Sequence, residues 1–190
     1  MSEQTAKPDS RHLQDAIESL LLVAGQPVPL ATLANVLGVK QDQVNHAIEV
    51  LRTRLIGGIR LQTNRNEAQL TTAPEHADIV HKFVGSVRPA PLSKAVLETL
   101  TVVAYHQPVT RAEIEHIRGV NSDRGVQILL ARGLIEECGE RDTLGKPVEF
   151  GTTFEFLEYF GLESLASLPP LPEPQRSSGA PSELGLRPEA

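Results

Sequence analysis

Apolar residues recur every three or four positions through the first third of the chain. Leu13, Ile17, Leu20, Leu21 and Ala24 share one helical face, and Gly25 and Pro27 end that helix. Leu30, Leu33, Ala34 and Leu37 predict a second, short helix stopped by Gly38. Val44, Ile48, Leu51 and Leu55 predict a third, broken by Gly57-Gly58. The period then changes. Ile59 and Leu61 alternate with polar residues, Asn64-Arg65-Asn66 turns the chain, and Ala68 to Thr72 returns, the pattern of a two-stranded hairpin. Thr72 and Glu75 have the spacing of a capping box for a fourth helix.

The same order returns further on. Leu97, Leu100 and Ala104 mark a helix with Ser93 at its start and Pro108 at its end. Thr110 and Glu113 form a second capping box, opening a short helix with Ile114 and Ile117 that Gly119 closes. Asn121, Ser122 or Asp123 caps a third helix, which buries Val126, Leu129 and Leu130 and stops at Gly133. Within it, Gly125 costs about 1 kcal/mol against alanine. Leu134 to Cys138 and Pro147 to Gly151 read as hairpin strands joined by the loop Gly139 to Lys146.

These two stretches are one unit written twice. Ile17-Glu-Ser-Leu-Leu-Leu-Val-Ala24 lies over Leu97-Glu-Thr-Leu-Thr-Val-Val-Ala104. Gln26-Pro-Val28 lies over Gln107-Pro-Val109, Gly38-Val39 over Gly119-Val120, and Leu55-Ile56 over Leu134-Ile135. Thr72 and Glu75 match Thr152 and Glu155. Several matches in one order, with almost no drift in offset, indicate tandem duplication. Three helices followed by a hairpin is the winged-helix plan, with a helix-turn-helix inside it. The fold class expected is mainly α with small β-hairpins (α+β), in two tandem winged-helix domains.

The expected organisation is a disordered N-terminus over 1–11, a first winged-helix domain over 12–84, a linker over 85–92, a second domain over 93–168 and a disordered Pro-rich tail over 169–190. The tail carries six of the chain's 14 prolines. Each domain has only about 75 residues, a size that buries roughly 60–65% of its unfolded surface and is marginal alone. A twin, a second copy or a partner chain would add stability, which suits a docking scaffold.

Charge narrows the functions. The 190 residues carry 18 basic and 24 acidic side chains, a formal net charge of -6, so no bulk basic surface is available for phosphate backbones. Residues 12–84 hold 6 basic and 7 acidic groups, a net of -1, and residues 93–168 hold 7 and 12, a net of -5. The single cysteine, Cys138, excludes an intrachain disulfide, and the apolar runs are far shorter than the roughly 20 residues that span a bilayer. With no signal-peptide pattern at the start, the expectation is a soluble protein of a reducing compartment.

Catalytic patterns are weak. Gly139-Glu-Arg-Asp-Thr-Leu-Gly145-Lys146 has five residues between its glycines where a phosphate loop has four, and Pro147 stands where that loop needs Ser or Thr. His76 and His81 are five apart and do not share a helical face; with His12, His46, His106 and His116 they read as surface histidines. Cys138 stands among Glu136, Glu137 and Glu140, with no neighbour that marks it as a nucleophile. No enzyme activity, cofactor or metal is expected. A DNA-reading third helix would offer Lys40, Gln41, Gln43, Asn45, His46, Arg52 and Arg54 in the first unit. In the second it would offer Asn121, Ser122, Asp123, Arg124 and Gln127, which is poor in the charge that supplies affinity. Aromatics point elsewhere. Five of the seven Phe and Tyr residues, Phe150, Phe154, Phe156, Tyr159 and Phe160, fall within eleven positions. Half or more would be core, and the rest an apolar patch for a protein partner.

Longer stretches of the second unit resemble a known family. They are Leu97-Glu-Thr-Leu100, Ala104-Tyr-His-Gln-Pro-Val-Thr-Arg-Ala-Glu-Ile-Glu115, Ile117-Arg-Gly-Val-Asn-Ser-Asp123, Arg132-Gly-Leu-Ile135, Gly145-Lys-Pro147 and Phe150-Gly-Thr-Thr-Phe-Glu-Phe-Leu-Glu-Tyr-Phe-Gly-Leu162. They are similar to the bacterial segregation and condensation protein B family, over about residues 12–168. The resemblance implies a cytoplasmic, non-catalytic homodimer. It would bind the kleisin subunit of the chromosome-condensing complex and, through it, the heads of the structural maintenance of chromosomes ATPase. It also implies that the first domains dimerise and the second grip kleisin. On that basis Tyr105, Ile114, Val120, Phe150, Phe154 and Tyr159 are candidate kleisin contacts, and Leu13, Leu20, Leu21 and Phe83 candidate dimer contacts. Any DNA contact would be weak or indirect, and the rival function is a winged-helix transcription regulator that reads DNA.

Overall fold

The structure is a computed structural model that describes residues 10–85 and 90–171. Three helices open the first half: α1 (Ser10–Ala24), α2 (Leu30–Leu37) and α3 (Gln41–Arg54). The short strand β1 (Val28–Pro29) lies between α1 and α2, and the hairpin β2 (Ile59–Asn64) and β3 (Glu67–Thr72) follows α3. A turn of 3-10 helix, Pro74–His76, leads into α4 (Ala77–Val84). The second half repeats the order with α5 (Lys94–His106), β4 (Val109–Thr110), α6 (Arg111–Arg118), α7 (Asp123–Ala131), β5 (Ile135–Glu140), β6 (Val148–Thr152) and α8 (Phe154–Phe160).

Each sheet has three strands where the sequence pattern predicts two. The orders are β1-β3-β2 and β4-β6-β5, antiparallel throughout. The added strand is the residue pair after each Gln-Pro, Val28–Pro29 and Val109–Thr110, too short to show an alternating pattern. Gly38 and Gly119 close α2 and α6 with φ of 65° and 69°, the left-handed conformation that favours glycine. The duplication therefore reaches backbone conformation as well as element order.

Two cores result. In the first, Ile17 and Leu21 of α1 meet Leu33 of α2, Val44, Ile48 and Leu51 of α3 and Leu61 of β2. In the second, Leu100 and Val103 meet Ile114, Val126, Leu129, Ile135, Phe150, Phe156 and Leu157. The capping box at Thr110 forms as expected, since Glu113 N donates to Thr110 Oγ1 at 3.4 Å and Glu113 Oε2 accepts from Thr110 N at 2.9 Å.

Several local expectations are corrected. Ser10 and Arg11 are already helical, so only residues 1–9 of the expected frayed start lie outside the described residues. Thr72 ends β3 and does not cap; Glu75 pairs with Arg60 at 3.0 Å instead. Ser93 is the N-cap of α5, but its hydroxyl makes no capping bond. Of the expected linker, 86–89 lie outside the described residues, and Leu92 belongs to the second core. Of the expected tail, 172–190 lie outside them as well.

A polar seam joins the halves along the edge strand β2. Thr63 N donates to Glu163 O at 2.9 Å, Gln62 Nε2 to Leu162 O at 2.8 Å and Asn64 Nδ2 to Thr152 O at 2.7 Å. Arg65 pairs with Glu136 at 2.8 Å across the same seam. The open strand edge is thus partly covered by the other half of the same chain.

Candidate docking site

Burial sorts the candidate residues into two groups. Ile114, at 0% exposed, Phe150, at 2%, and Phe154 lie inside the second core. They are corrected from contact residues to core residues, because α5, α7 and the sheet of the same chain already cover them. Val120 is exposed on the turn between α6 and α7, and Tyr159 is exposed on α8. Tyr105 is half-buried, and its hydroxyl donates to Pro169 O at 2.5 Å. Of the aromatic run, Phe150, Phe154 and Phe156 are core, while Tyr159 and Phe160 remain at the surface with ring centroids 5.0 Å apart, edge to face.

The first half divides the same way. Leu13 and Leu21 are buried under α3 and its neighbours, and they too are corrected to core residues. Leu20 is half-buried against that core, whereas Phe83 is 90% exposed. Phe83 belongs to a larger feature. No residue of α4 is buried, yet Ile79, Phe83 and Val84 are apolar and open to solvent. Ile79 and Phe83 are four apart and project from one face. Ala77, Val80 and His81 are only half-buried, so this short helix is weakly stabilised by its own chain and gains when a second surface buries its open apolar side. Leu22 and Val23 at the end of α1 and Val36 on α2 add further exposed aliphatics. Spacing alone hid Ile79 and Val84, because their pattern equals that of a core-facing helix.

Several of the groups a DNA reader would use are engaged within the chain. Arg52 bonds Glu49 at 3.2 Å and Thr63 Oγ1 at 2.6 Å, and Arg54 bonds Gln14 and Asp15, each at 2.9 Å. Gln43 Oε1 accepts from Lys40 N at the start of α3. Asp123 opens α7 with its carboxyl held below the usual range, first by the Asn121 side chain and then by the Arg111 guanidinium. A helix that begins with a firmly ionised aspartate meets a phosphate backbone unfavourably. His12, His46, His76, His106 and His116 are exposed and His81 is half-buried. Among the described residues, no group of three or more His, Cys, Asp or Glu is arranged to hold a metal ion, and no helix is long and apolar enough to cross a membrane.

Similarity to known proteins shows the family. The family model for the segregation and condensation complex subunit ScpB matches residues 15–171. Segregation and condensation protein B of Oceanobacillus iheyensis is 46% identical over 161 residues, covering 83% of this chain and 84% of that protein. ScpB from Mycobacterium tuberculosis, known as a crystal structure, is 39% identical; the match covers 83% of this chain and 99% of that one, with a TM-score of 0.40. A dimer of the ScpB N-terminal domain complexed with ScpA peptide is 30% identical, covering 38% of this chain and 95% of that one, with a TM-score of 0.36. With a match that runs from within α1 to beyond α8, the chain belongs to the ScpB family of segregation and condensation complex subunits.

Proposed function

We propose that this chain is the non-catalytic accessory subunit of the bacterial chromosome-condensing complex, acting in the cytoplasm beside the nucleoid. It docks on the kleisin as a homodimer and so supports chromosome condensation and segregation. Family membership across residues 15–171 carries the reading. The relatives bear the name segregation and condensation protein B, and within the family an N-terminal domain dimer is known with ScpA peptide bound. We assign dimerisation to the first half, through Phe83 and Ile79 of α4 and Leu20 of α1, and the main kleisin contact to the second half, with the first half as a further contact because the related N-terminal domain dimer carries ScpA peptide. In the second half Tyr105, Val120 and Tyr159 remain the contact candidates, since Ile114, Phe150 and Phe154 are core.

The mechanism is adhesion by apolar burial. Each square ångström of apolar surface removed from water contributes about 25 cal/mol before the costs of ordering. The test mixes purified chain with purified kleisin and measures the mass of the product by light scattering. Co-elution in one complex is the expected result. A failure to bind kleisin, together with salt-sensitive, sequence-selective binding to duplex DNA, would favour the transcription-regulator reading.

A further inference from the structure

The second half carries a net charge of -5, yet one cleft on it is lined by arginines and by no acid. It holds about 550 Å³ between the start of α5 and the α6–α7 region. Its apolar wall comes from Leu92, Val96, Val120 and Ile128. Leu92 and Val96 are nearly buried, whereas Val120 is 54% exposed and stands at the rim. Arg118, Arg124 and Arg132 supply the charge.

The three guanidiniums are not equivalent. Arg118 has a side chain only 9% exposed, bonded to Glu98 Oε2 at 3.1 Å and Ser122 Oγ at 3.0 Å. Its buried Nε has no hydrogen-bond partner among the described residues. Arg132 spends one nitrogen on Ala90 O, at 2.6 Å. Arg124 is exposed on α7 and pairs with no described side chain. The first turn of α5 also opens here, without a capping bond from Ser93, so the positive end of the helix adds to the field. Glu98 offsets part of the Arg118 charge, which leaves Arg124 and Arg132 as the groups facing an incoming anion.

We propose that this cleft seats an acidic, apolar segment of kleisin, with aliphatic side chains against Val120 and Ile128 and a carboxylate on Arg124. The proposal rests on the kleisin-binding reading above and adds the place and the chemistry of the contact. Charge complementarity selects the occupant. The apolar wall favours a peptide with few carboxylates over a free anion, and the acidic surround, including Asp123 beside Arg124, opposes the densely charged phosphate backbone most.

The test uses the full chain and purified kleisin, with affinity measured by calorimetry at two salt concentrations. Arg124→Glu should weaken binding by about tenfold and flatten its salt dependence, while Arg124→Lys should stay within about threefold of the parent. Adding Val120→Asp to Arg124→Glu should weaken binding by about a hundredfold. Both residues are exposed, so circular dichroism and dimer mass should not change. Affinity unaltered by the double variant overturns the cleft assignment and leaves the kleisin-binding reading standing. Absence of kleisin binding by the parent chain overturns that reading instead. Loss of the dimer with kleisin affinity retained would give the cleft to a second copy, and loss of DNA binding with kleisin affinity retained would give it to nucleic acid; either outcome overturns the proposal.

Discussion

Thr99 and Gly125 meet where α5 passes α7, and the glycine there has a steric cause. A Cβ on Gly125 would sit 2.6 Å from Thr99 Oγ1 and 3.3 Å from its Cβ, and Thr99 is fully buried with its hydroxyl donating to Ala95 O at 3.0 Å. Propensity favours alanine at this position by about 1 kcal/mol, but overpacking of a closed contact costs about 1–3 kcal/mol. Gly125→Ala is therefore expected to lower stability in urea unfolding, and Thr99→Ala in the same chain should recover part of the loss. Additive losses in that cycle would contradict the contact. Glu113 makes a second residue-scale prediction. Its carboxyl is lowered from an ordinary 4.5 to about 2, first by the Thr110 backbone N–H, then by the Arg141 guanidinium and the Thr110 hydroxyl. A depressed carboxyl contributes its stability fully above the ordinary value and loses it as pH falls from about 4.5 through about 2. Glu113→Gln should flatten the acid limb of stability against pH over that window, and an unchanged limb would show that other carboxylates dominate it.

At the scale of elements, α4 carries the clearest prediction. Its apolar residues Ile79, Phe83 and Val84 are exposed among the described residues, and a second copy is the cover that the dimer reading gives them. Replacing Ile79 and Phe83 together with Asp should turn a dimer into a monomer in light scattering, with the helical circular-dichroism signal kept because neither side chain supports the core. A dimer that persists would place the interface on another face. Helices, the strands of each hairpin and the Thr110 capping box were legible in the sequence because each leaves a pattern among residues within four positions of one another. The third strands β1 and β4 were not, since a two-residue strand is defined by its partner across the sheet, such as Phe150 opposite Val109. Nor did spacing separate Ile114 and Phe150 from Val120. Periodicity marks an apolar position, but tertiary packing decides whether another layer covers it. The arginine cleft was hidden for the same reason, because Arg118, Arg124 and Arg132 share no helical period and converge only in three dimensions.

Across the whole molecule, two small units share one chain and a polar seam, the kind of contact that interdomain surfaces tend to make. Glu158 sits at that seam, accepting from Gln69 Nε2 at 3.1 Å and Thr71 Oγ1 at 3.4 Å. Burial, followed by the like charge of Glu155, pushes its carboxyl up. An acid with a raised folded pKa contributes most below its ordinary value, and that contribution is lost as pH rises through the raised one. Glu158→Gln keeps the acceptor without the charge, so it should raise the neutral-pH melting temperature in calorimetry. A lower melting temperature would contradict the seam as described. The central claim is that a duplicated winged-helix chain works by docking onto kleisin as a dimer. The most direct measurement is light scattering of the purified chain, alone and with purified kleisin. The account requires twice the chain mass alone and a discrete, heavier complex with kleisin; a monomer that leaves kleisin unbound would contradict it.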